Sequence, residues 1–102
     1  MAYVVLETEP FSKLFQTLSK EEQDWMRKMI AQLEENPFVG KPLGFPWFRE
    51  KKFAGKRLYY LVYLHVNKVL LVAFGPKKAQ QKIIDHILAN RETYRQLVAG
   101  TQ

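Results

Sequence analysis

Apolar and polar residues follow two different periods along the chain, and the N-terminal third shows first one and then the other. Residues 3–6 are a run of β-favouring side chains, which predicts a strand. From residue 11 to residue 18 the apolar side chains recur every three or four positions, which predicts a helix with one apolar stripe. Pro10 suits the first turn of that helix, because its fixed φ is already helical.

A second predicted helix follows immediately and begins at a capping box. Ser19 can accept a hydrogen bond from the Glu22 amide, while the Glu22 carboxylate reaches back to the Ser19 N–H. Its apolar residues keep helical spacing until Asn36, where the following Pro37 disfavours further helix. Two helices joined so tightly predict an antiparallel hairpin.

The rest of the chain predicts a loop, three strands and a helix. Residues 37–46 hold three of the five prolines and two of the five glycines, which indicates a connecting loop. Strands are expected at 47–53, 58–66 and 69–74, joined by tight turns into an antiparallel meander. Helical spacing returns from residue 77 to residue 98. We therefore predict one α+β domain over residues 1–102, ordered β-α-α-β-β-β-α, with a helical hairpin packed on an antiparallel sheet and a long C-terminal helix.

The strand at 58–66 is expected to have one closed face and one partly open face, because side chains alternate across a strand. The almost purely apolar set belongs to the core beneath the helices: Leu58, Tyr60, Val62, Leu64 and Val66. The other set includes a guanidinium and an imidazole, which are costly to bury unpaired: Arg57, Tyr59, Leu61, Tyr63 and His65.

Charge is concentrated in one part of the sequence. The formal net charge is +6, but residues 48–82 contain nine cations and a single acid, Glu50, for a net charge of +8. Such a segment favours an anionic partner, although basic hairpins are often simply solvated and edge lysines also deter aggregation. On the strand before Arg57, either Arg49 and Lys51 or Glu50 and Lys52 can lie beside it, depending on the register.

Several classes of protein are excluded or disfavoured by the sequence. The chain has no cysteine, so it has no disulfide and no thiolate metal site. Its two histidines, His65 and His86, have no nearby carboxylate pair, and we expect no metal and no cofactor. The first apolar run is broken by Glu7 and Glu9, too early for a signal peptide or membrane span, so we expect a cytoplasmic protein that does not bind membranes.

Two segments resemble the RelE/ParE toxin superfamily. These are "AGKRLYYLVY" at 54–63 and "KVLLVAFGPKK" at 68–78, in a chain with the predicted element order. Arg57 and Tyr60 match the Arg-x-x-Tyr signature of the family. The stretch "FGPKKAQQK" at 74–82 is similar to the Lys-Lys-x-Gln region of its phage-derived, HigB-like branch. The resemblance extends over the chain up to about residue 81.

The resemblance implies a toxin of a type II toxin–antitoxin system that cleaves mRNA on the ribosome without a metal. Its partners would be the ribosome-bound mRNA and a cognate antitoxin protein, with which it would form a hetero-oligomer. The implied catalytic residues are a phosphate-contacting arginine, a basic pair on the preceding strand and a lysine after the last strand: Arg57, Arg49, Lys51 and Lys77. Further RNA contacts are implied for a second set: Lys52, Lys56, Lys78 and Tyr59. His65 is more simply an antitoxin-contacting or surface residue, and Tyr59 can equally pack beneath the last helix.

One departure from the family leaves the activity open. Many RelE members carry a tyrosine or histidine a few residues after the last strand, whereas residues 79–83 here read "AQQKI". The chain can therefore be a slower nuclease, a nuclease with a different base, a ParE-type inhibitor of DNA gyrase, or an inactive member that binds RNA or titrates an antitoxin. We also expect the C-terminal helix to pack on the domain, and the antitoxin to contact or replace it.

Overall fold

A computed structural model of the protein describes residues 2–100, which form a five-stranded sheet with helices on both faces. The strands are β1 (Val4–Glu7), β2 (Lys41–Phe45), β3 (Phe48–Phe53), β4 (Lys56–Tyr63) and β5 (Lys68–Pro76). The helices are α1 (Glu9–Thr17), α2 (Lys20–Glu35), α3 (Gln80–Ala89) and α4 (Arg91–Ala99). The sheet order is β1-β5-β4-β3-β2, with β1 parallel to β5 and the other neighbours antiparallel. The predicted α+β class is confirmed.

The N-terminal helices begin where the sequence predicts. The Thr8 hydroxyl accepts from the Phe11 amide at the start of α1. Ser19 and Glu22 form both hydrogen bonds of the capping box at the start of α2, each 3.1 Å long. These bonds satisfy amides that a helix start otherwise leaves free. The two helices cover one face of the sheet, and the core between them contains, among the described residues, ten buried side chains: Phe11, Met26, Met29, Leu33, Leu58, Tyr60, Val62, Val69, Leu71 and Phe74.

The opposite face of the sheet is also covered. Phe48, Tyr59 and Leu61 are buried there with Ile87 of α3, and partly buried side chains of α3 and α4 complete this second core. The expectation that this face of β4 is partly open is wrong, because Arg57 is 8% exposed, Tyr59 0% and Leu61 2%. The C-terminal helices do pack on the domain, as predicted.

Three predicted boundaries are corrected by the structure. The predicted loop at 37–46 contains strand β2. Strand β4 ends at Tyr63, because the 3₁₀ turn Leu64–Val66 follows it and closes on left-handed Asn67 (φ 55°). The prediction that Leu64 and Val66 lie in the core is therefore wrong, since both side chains are exposed. The predicted helix at 77–98 is a 3₁₀ turn, Lys77–Ala79, followed by α3 and α4. The two helices separate at Asn90, whose side chain donates to the His86 carbonyl at 2.8 Å and so competes with the regular helical bonds.

Strand β2 forms because the preceding loop is tied to the sheet by one buried hydroxyl. Tyr60 Oη accepts from the Gly40 amide and donates to the Pro37 carbonyl, both at 2.9 Å. A Cβ atom at Gly40 would lie 2.4 Å from the Glu50 carbonyl oxygen and 2.6 Å from that hydroxyl, so the close approach requires glycine. These contacts hold the loop against β3. Among the described residues, no helix combines the length and apolar character needed to cross a membrane.

Candidate nucleic-acid interface

Basic side chains from β3, β4 and the turn after β5 come together at one end of the sheet. Lys52 is the cross-strand partner of Arg57, and Arg57 is in turn paired with Gly75 of β5. The backbone then brings Lys77 close to the β3–β4 turn, because the Lys77 amide donates to the Gly55 carbonyl at 3.2 Å. We call this group of cations the basic end: Lys52, Lys56, Arg57, Lys77 and Lys78.

The register decides which residues of β3 face Arg57. Lys52 lies directly opposite Arg57, and Glu50 lies opposite Tyr59, two positions along. Of the two registers that the sequence left open, the structure therefore has the one in which Glu50 and Lys52 share a face with Arg57. Arg49 and Lys51 project from the other face of β3, towards α1 and α2, because side chains alternate along a strand.

Arg57 and Glu50 form a buried ion pair at the basic end. Their side chains are 10% and 3% exposed, and Arg57 Nε lies 3.2 Å from Glu50 Oε1. The arginine fork stays protonated and is rigid, so it can bind the oxygens of a phosphate or a carboxylate in the same geometry. In this structure a carboxylate of the protein itself, that of Glu50, faces the guanidinium at Nε.

Helix α3 closes over the ion pair. Gln80, in its first turn, donates from Nε2 to Glu50 Oε1 at 2.8 Å. The 3.2 Å contact of Arg57 Nε with Glu50 is an ion pair without hydrogen-bond geometry, and the buried Tyr59 Oη beside it has no hydrogen-bond partner among the described residues. Burial raises the pKa of the Tyr59 hydroxyl, and the nearby Glu50 carboxylate raises it further, while Arg57 and Gln80 act in the opposite direction. The cluster thus contains unused hydrogen-bonding capacity.

The buried position of Tyr59 bears on its predicted role in RNA binding. Its ring is fully covered by the second core, so it cannot stack on a base in this conformation. Tyr59 instead packs beneath α3 and α4, which is the other position considered for it from the sequence.

The lysines of the basic end differ in whether they contact other side chains of this protein. Lys56 Nζ forms a 2.7 Å ion pair with Glu22 of α2 and lies 5.5 Å from the centre of the Phe74 ring. The ammonium group lowers the pKa of Glu22, and the capping hydrogen bond from the Ser19 amide lowers it further. Lys52, Lys77 and Lys78 are exposed. An incoming polyanion would therefore meet these three lysines first and Lys56 second.

Arg49 has a structural environment that does not support the catalytic role expected for it. Its Nε and Nη1 donate to the carbonyls of Gly40 and Pro46 at 3.0 and 2.9 Å. Its guanidinium also lies 5.0 Å from the centre of the Phe38 ring. The charged fork is used to hold the loop before β3, on the face away from Arg57. Lys51 shares that face and is likewise separated from Arg57.

Replacing Arg49 by alanine is expected to affect stability and to leave binding to nucleic acid largely unchanged. Two charge-assisted hydrogen bonds to backbone carbonyls are lost, which corresponds to a decrease of about 2–4 kcal/mol in the free energy of unfolding. Urea unfolding measures this loss. A stable Arg49→Ala protein with a large loss of RNA binding would instead indicate direct contact with RNA.

The histidines show no catalytic arrangement. His65 lies exposed in the 3₁₀ turn after β4, and His86 lies exposed on α3. Within residues 2–100, the structure contains no group of three or more histidine, aspartate or glutamate side chains placed to hold a metal ion.

Two residues of this site were not assigned a role by the sequence interpretation. Glu50 was considered only as one of two register alternatives beside Arg57. Gln80 was considered only as part of residues 79–83, which lack tyrosine and histidine. A signal for Glu50 was present, since it is the single acid in a segment with nine cations. Gln80 had no comparable signal, because its role depends on how α3 docks.

Comparison with solved structures identifies the fold. The chain superposes on a double mutant of the E. coli toxin RelE in the free state with a TM-score of 0.69 at 25% identity, covering 79% of this chain and 90% of that one. The chain has the RelE fold. The same mutant in complex with a peptide of the antitoxin RelBc gives a TM-score of 0.68 at 23% identity, over 84% of this chain and 95% of that one. The archaeal RelE–RelB complex from Pyrococcus horikoshii OT3 gives 0.66 at 19% identity, over 76% and 97%.

These matches confirm the predicted resemblance to the RelE-like superfamily. No protein-family model and no curated protein sequence matches the chain. Assignment to the HigB-like branch stays a prediction.

Proposed function

We propose that this protein is the toxin of a type II toxin–antitoxin system and that it cleaves mRNA in the ribosome. The observation that carries the proposal is the position of Arg57 in a RelE fold, opposite Lys52 at the end of the sheet that holds the exposed lysines of the basic end. The expected substrate is an RNA strand whose phosphates enter the basic end. A ribosome-bound substrate would place the activity in the cytoplasm.

The cleavage chemistry requires groups that the basic end can supply. When a ribose 2′-hydroxyl attacks the adjacent phosphate, negative charge develops on the phosphoryl oxygens, and fixed donors stabilise it. Arg57 is suited to this role, because its planar fork can donate to two phosphoryl oxygens at once. Lys52 lies opposite Arg57, and the backbone of Lys77 is bonded to the adjacent β3–β4 turn. These two lysines are our candidates for moving the proton from the 2′-hydroxyl and to the leaving 5′-oxygen. This step needs no metal ion.

We also infer an antitoxin partner. Two of the similar structures contain antitoxin, one as a RelBc peptide and one as RelB. A segment with a net charge of +8 favours a partner that combines acidic residues with apolar anchors. We expect this partner to lie over the sheet near α3 and α4, and to form a hetero-oligomer with the toxin.

A reconstituted reaction tests the proposal. Purified protein is added to ribosomes programmed with a defined mRNA, and the products are resolved at nucleotide resolution. We expect cleavage only when the ribosome is present, since the decoding site would hold the substrate strand in place. Intact mRNA at stoichiometric amounts of protein and ribosome would contradict nuclease activity.

The missing tyrosine or histidine after β5 supports ParE-type inhibition of gyrase as a second candidate. Residues 79–83 supply neither side chain, and Gln80 in that stretch is bonded to Glu50. Supercoiling by purified gyrase separates the two candidates. Inhibition of gyrase together with intact mRNA would favour the second candidate, and unaffected supercoiling would exclude it.

A further inference from the structure

The carboxylate of Glu50 is held from two sides by residues of different elements. Arg57 of β4 lies 3.2 Å away, and Gln80 of α3 donates to the same oxygen at 2.8 Å. The carboxylate is nearly fully buried, so it contributes nothing to solubility. A buried charge of this kind is costly to desolvate, and its partners must offset that cost.

A carboxylate and a phosphodiester compete for the same donor. Both present two oxygens with a negative charge, and the guanidinium fork binds either of them. Arg57 cannot give a phosphate its full set of bonds while Glu50 remains in place. Arg57 Nε faces Glu50 in an ion pair without a hydrogen bond, and Tyr59 Oη has no hydrogen-bond partner among the described residues, so an incoming anion would meet both donors if Glu50 moved away.

Resting on the function proposed above, we propose that Glu50 occupies the phosphate site of Arg57 as an internal competitor, and that Gln80 holds it there. The structure then represents a closed state of the anion site. Opening requires the bond between Gln80 and Glu50 to break, which removes a polar attachment of the first turn of α3 to the sheet. An RNA phosphate then replaces the Glu50 carboxylate at Arg57.

The packing of α3 connects this exchange to the rest of the helix. Ile87, two turns beyond Gln80 on α3, is 1% exposed and packs with Leu61 and Phe48 of the sheet. Ile83 is packed on the same core, close to Gly75. Loss of the Gln80 contact therefore removes a polar attachment of a helix that is otherwise held by apolar contacts, and opening of α3 becomes more frequent.

Thiol labelling measures this opening without reference to RNA. The chain has no cysteine, so a Leu61→Cys variant carries a single thiol beneath α3, and a Val69→Cys variant carries one in the core on the opposite face. Adding Gln80→Ala is expected to increase the labelling rate at position 61 about tenfold or more, through loss of a bond to a charged group. The rate at position 69 should stay unchanged. The matched control is Gln81→Ala, whose exposed side chain bonds Asp85 within the same helix and should alter neither rate. Equal increases at both positions, or no increase at position 61, would overturn the proposal.

Binding of an uncleavable RNA tests the competition itself. A short 2′-O-methyl RNA oligonucleotide has no free 2′-hydroxyl, so its affinity reports binding alone. Gln80→Ala and Glu50→Gln should each lower its Kd about tenfold or more, whereas Gln81→Ala should leave the Kd unchanged. Equal or weaker binding by the first two variants would show that Glu50 does not compete with phosphate. Since neither measurement uses ribosomes, absence of mRNA cleavage would contradict the proposed function without deciding this inference.

Discussion

Replacing Arg57 by methionine is expected to lower the rate of ribosome-dependent mRNA cleavage by about 10²–10³-fold, the usual cost of losing one fixed donor to a transition-state oxyanion. The guanidinium is the single rigid, permanently charged fork at the basic end among the described residues, since Arg49 lies on the other face. Single-turnover cleavage of mRNA on programmed ribosomes measures the effect. An Arg57→Lys variant should recover only part of the rate, because an ammonium group keeps the charge but not the planar fork.

This substitution has a structural consequence that needs its own control. Without Arg57, the Glu50 carboxylate stays buried with an uncompensated charge, and breaking such a pair destabilises a protein by about 3–5 kcal/mol. Combining Arg57→Met with Glu50→Gln removes both charges and should restore most of the stability. Full cleavage activity in a folded double variant would contradict the role given to Arg57.

Replacing Ile87 by aspartate is expected to cause the largest loss of stability of any single change on the C-terminal helices. Ile87 is 1% exposed and packs with Phe48, Tyr59 and Leu61, so the change would place an unpaired charge in the second core. The cost is about 4 kcal/mol or more, a large part of the stability of a domain of this size.

Thermal unfolding and solubility measure this effect. His86→Asp is the matched control, because it adds the same group at the neighbouring, exposed position of α3. We expect the control to unfold near the temperature of the unmodified protein, and Ile87→Asp to lose its cooperative transition or precipitate. Equal unfolding temperatures would show that α3 does not contribute to the core.

The elements that the sequence predicted correctly depend on local interactions. Ser19 and Glu22 start α2 through contacts made within one turn, and the alternation of Leu58, Tyr60 and Val62 sets one face of β4. Strand β2 was missed because its formation depends on distant partners. Tyr60, some twenty residues further along, and the Arg49 fork hold its loop against the sheet. Proline and glycine content alone predicts a loop there.

The candidate site was predicted as a group of residues rather than as a geometry. The density of cations predicted a basic surface, but the pairing of Lys52 with Arg57 decided which of them meet. Alternation along the strand separates Arg49 from Glu50, but the register decides which of them shares a face with Arg57, and no local pattern contains the register. The burial of Tyr59 also had to come from the structure, because it depends on the docking of α3 and α4 after their separation at Asn90.

Mapping mRNA ends in cells is the most direct test of whether this protein cleaves mRNA on the ribosome. The protein is induced in a sensitive host, with Arg57→Met combined with Glu50→Gln as the inactive control, and the 5′ ends of cellular mRNA are sequenced. We expect new ends within translated frames, in phase with the codons, which are absent in the control and disappear when translation initiation is blocked. Growth arrest without new codon-phased ends would contradict this cleavage activity.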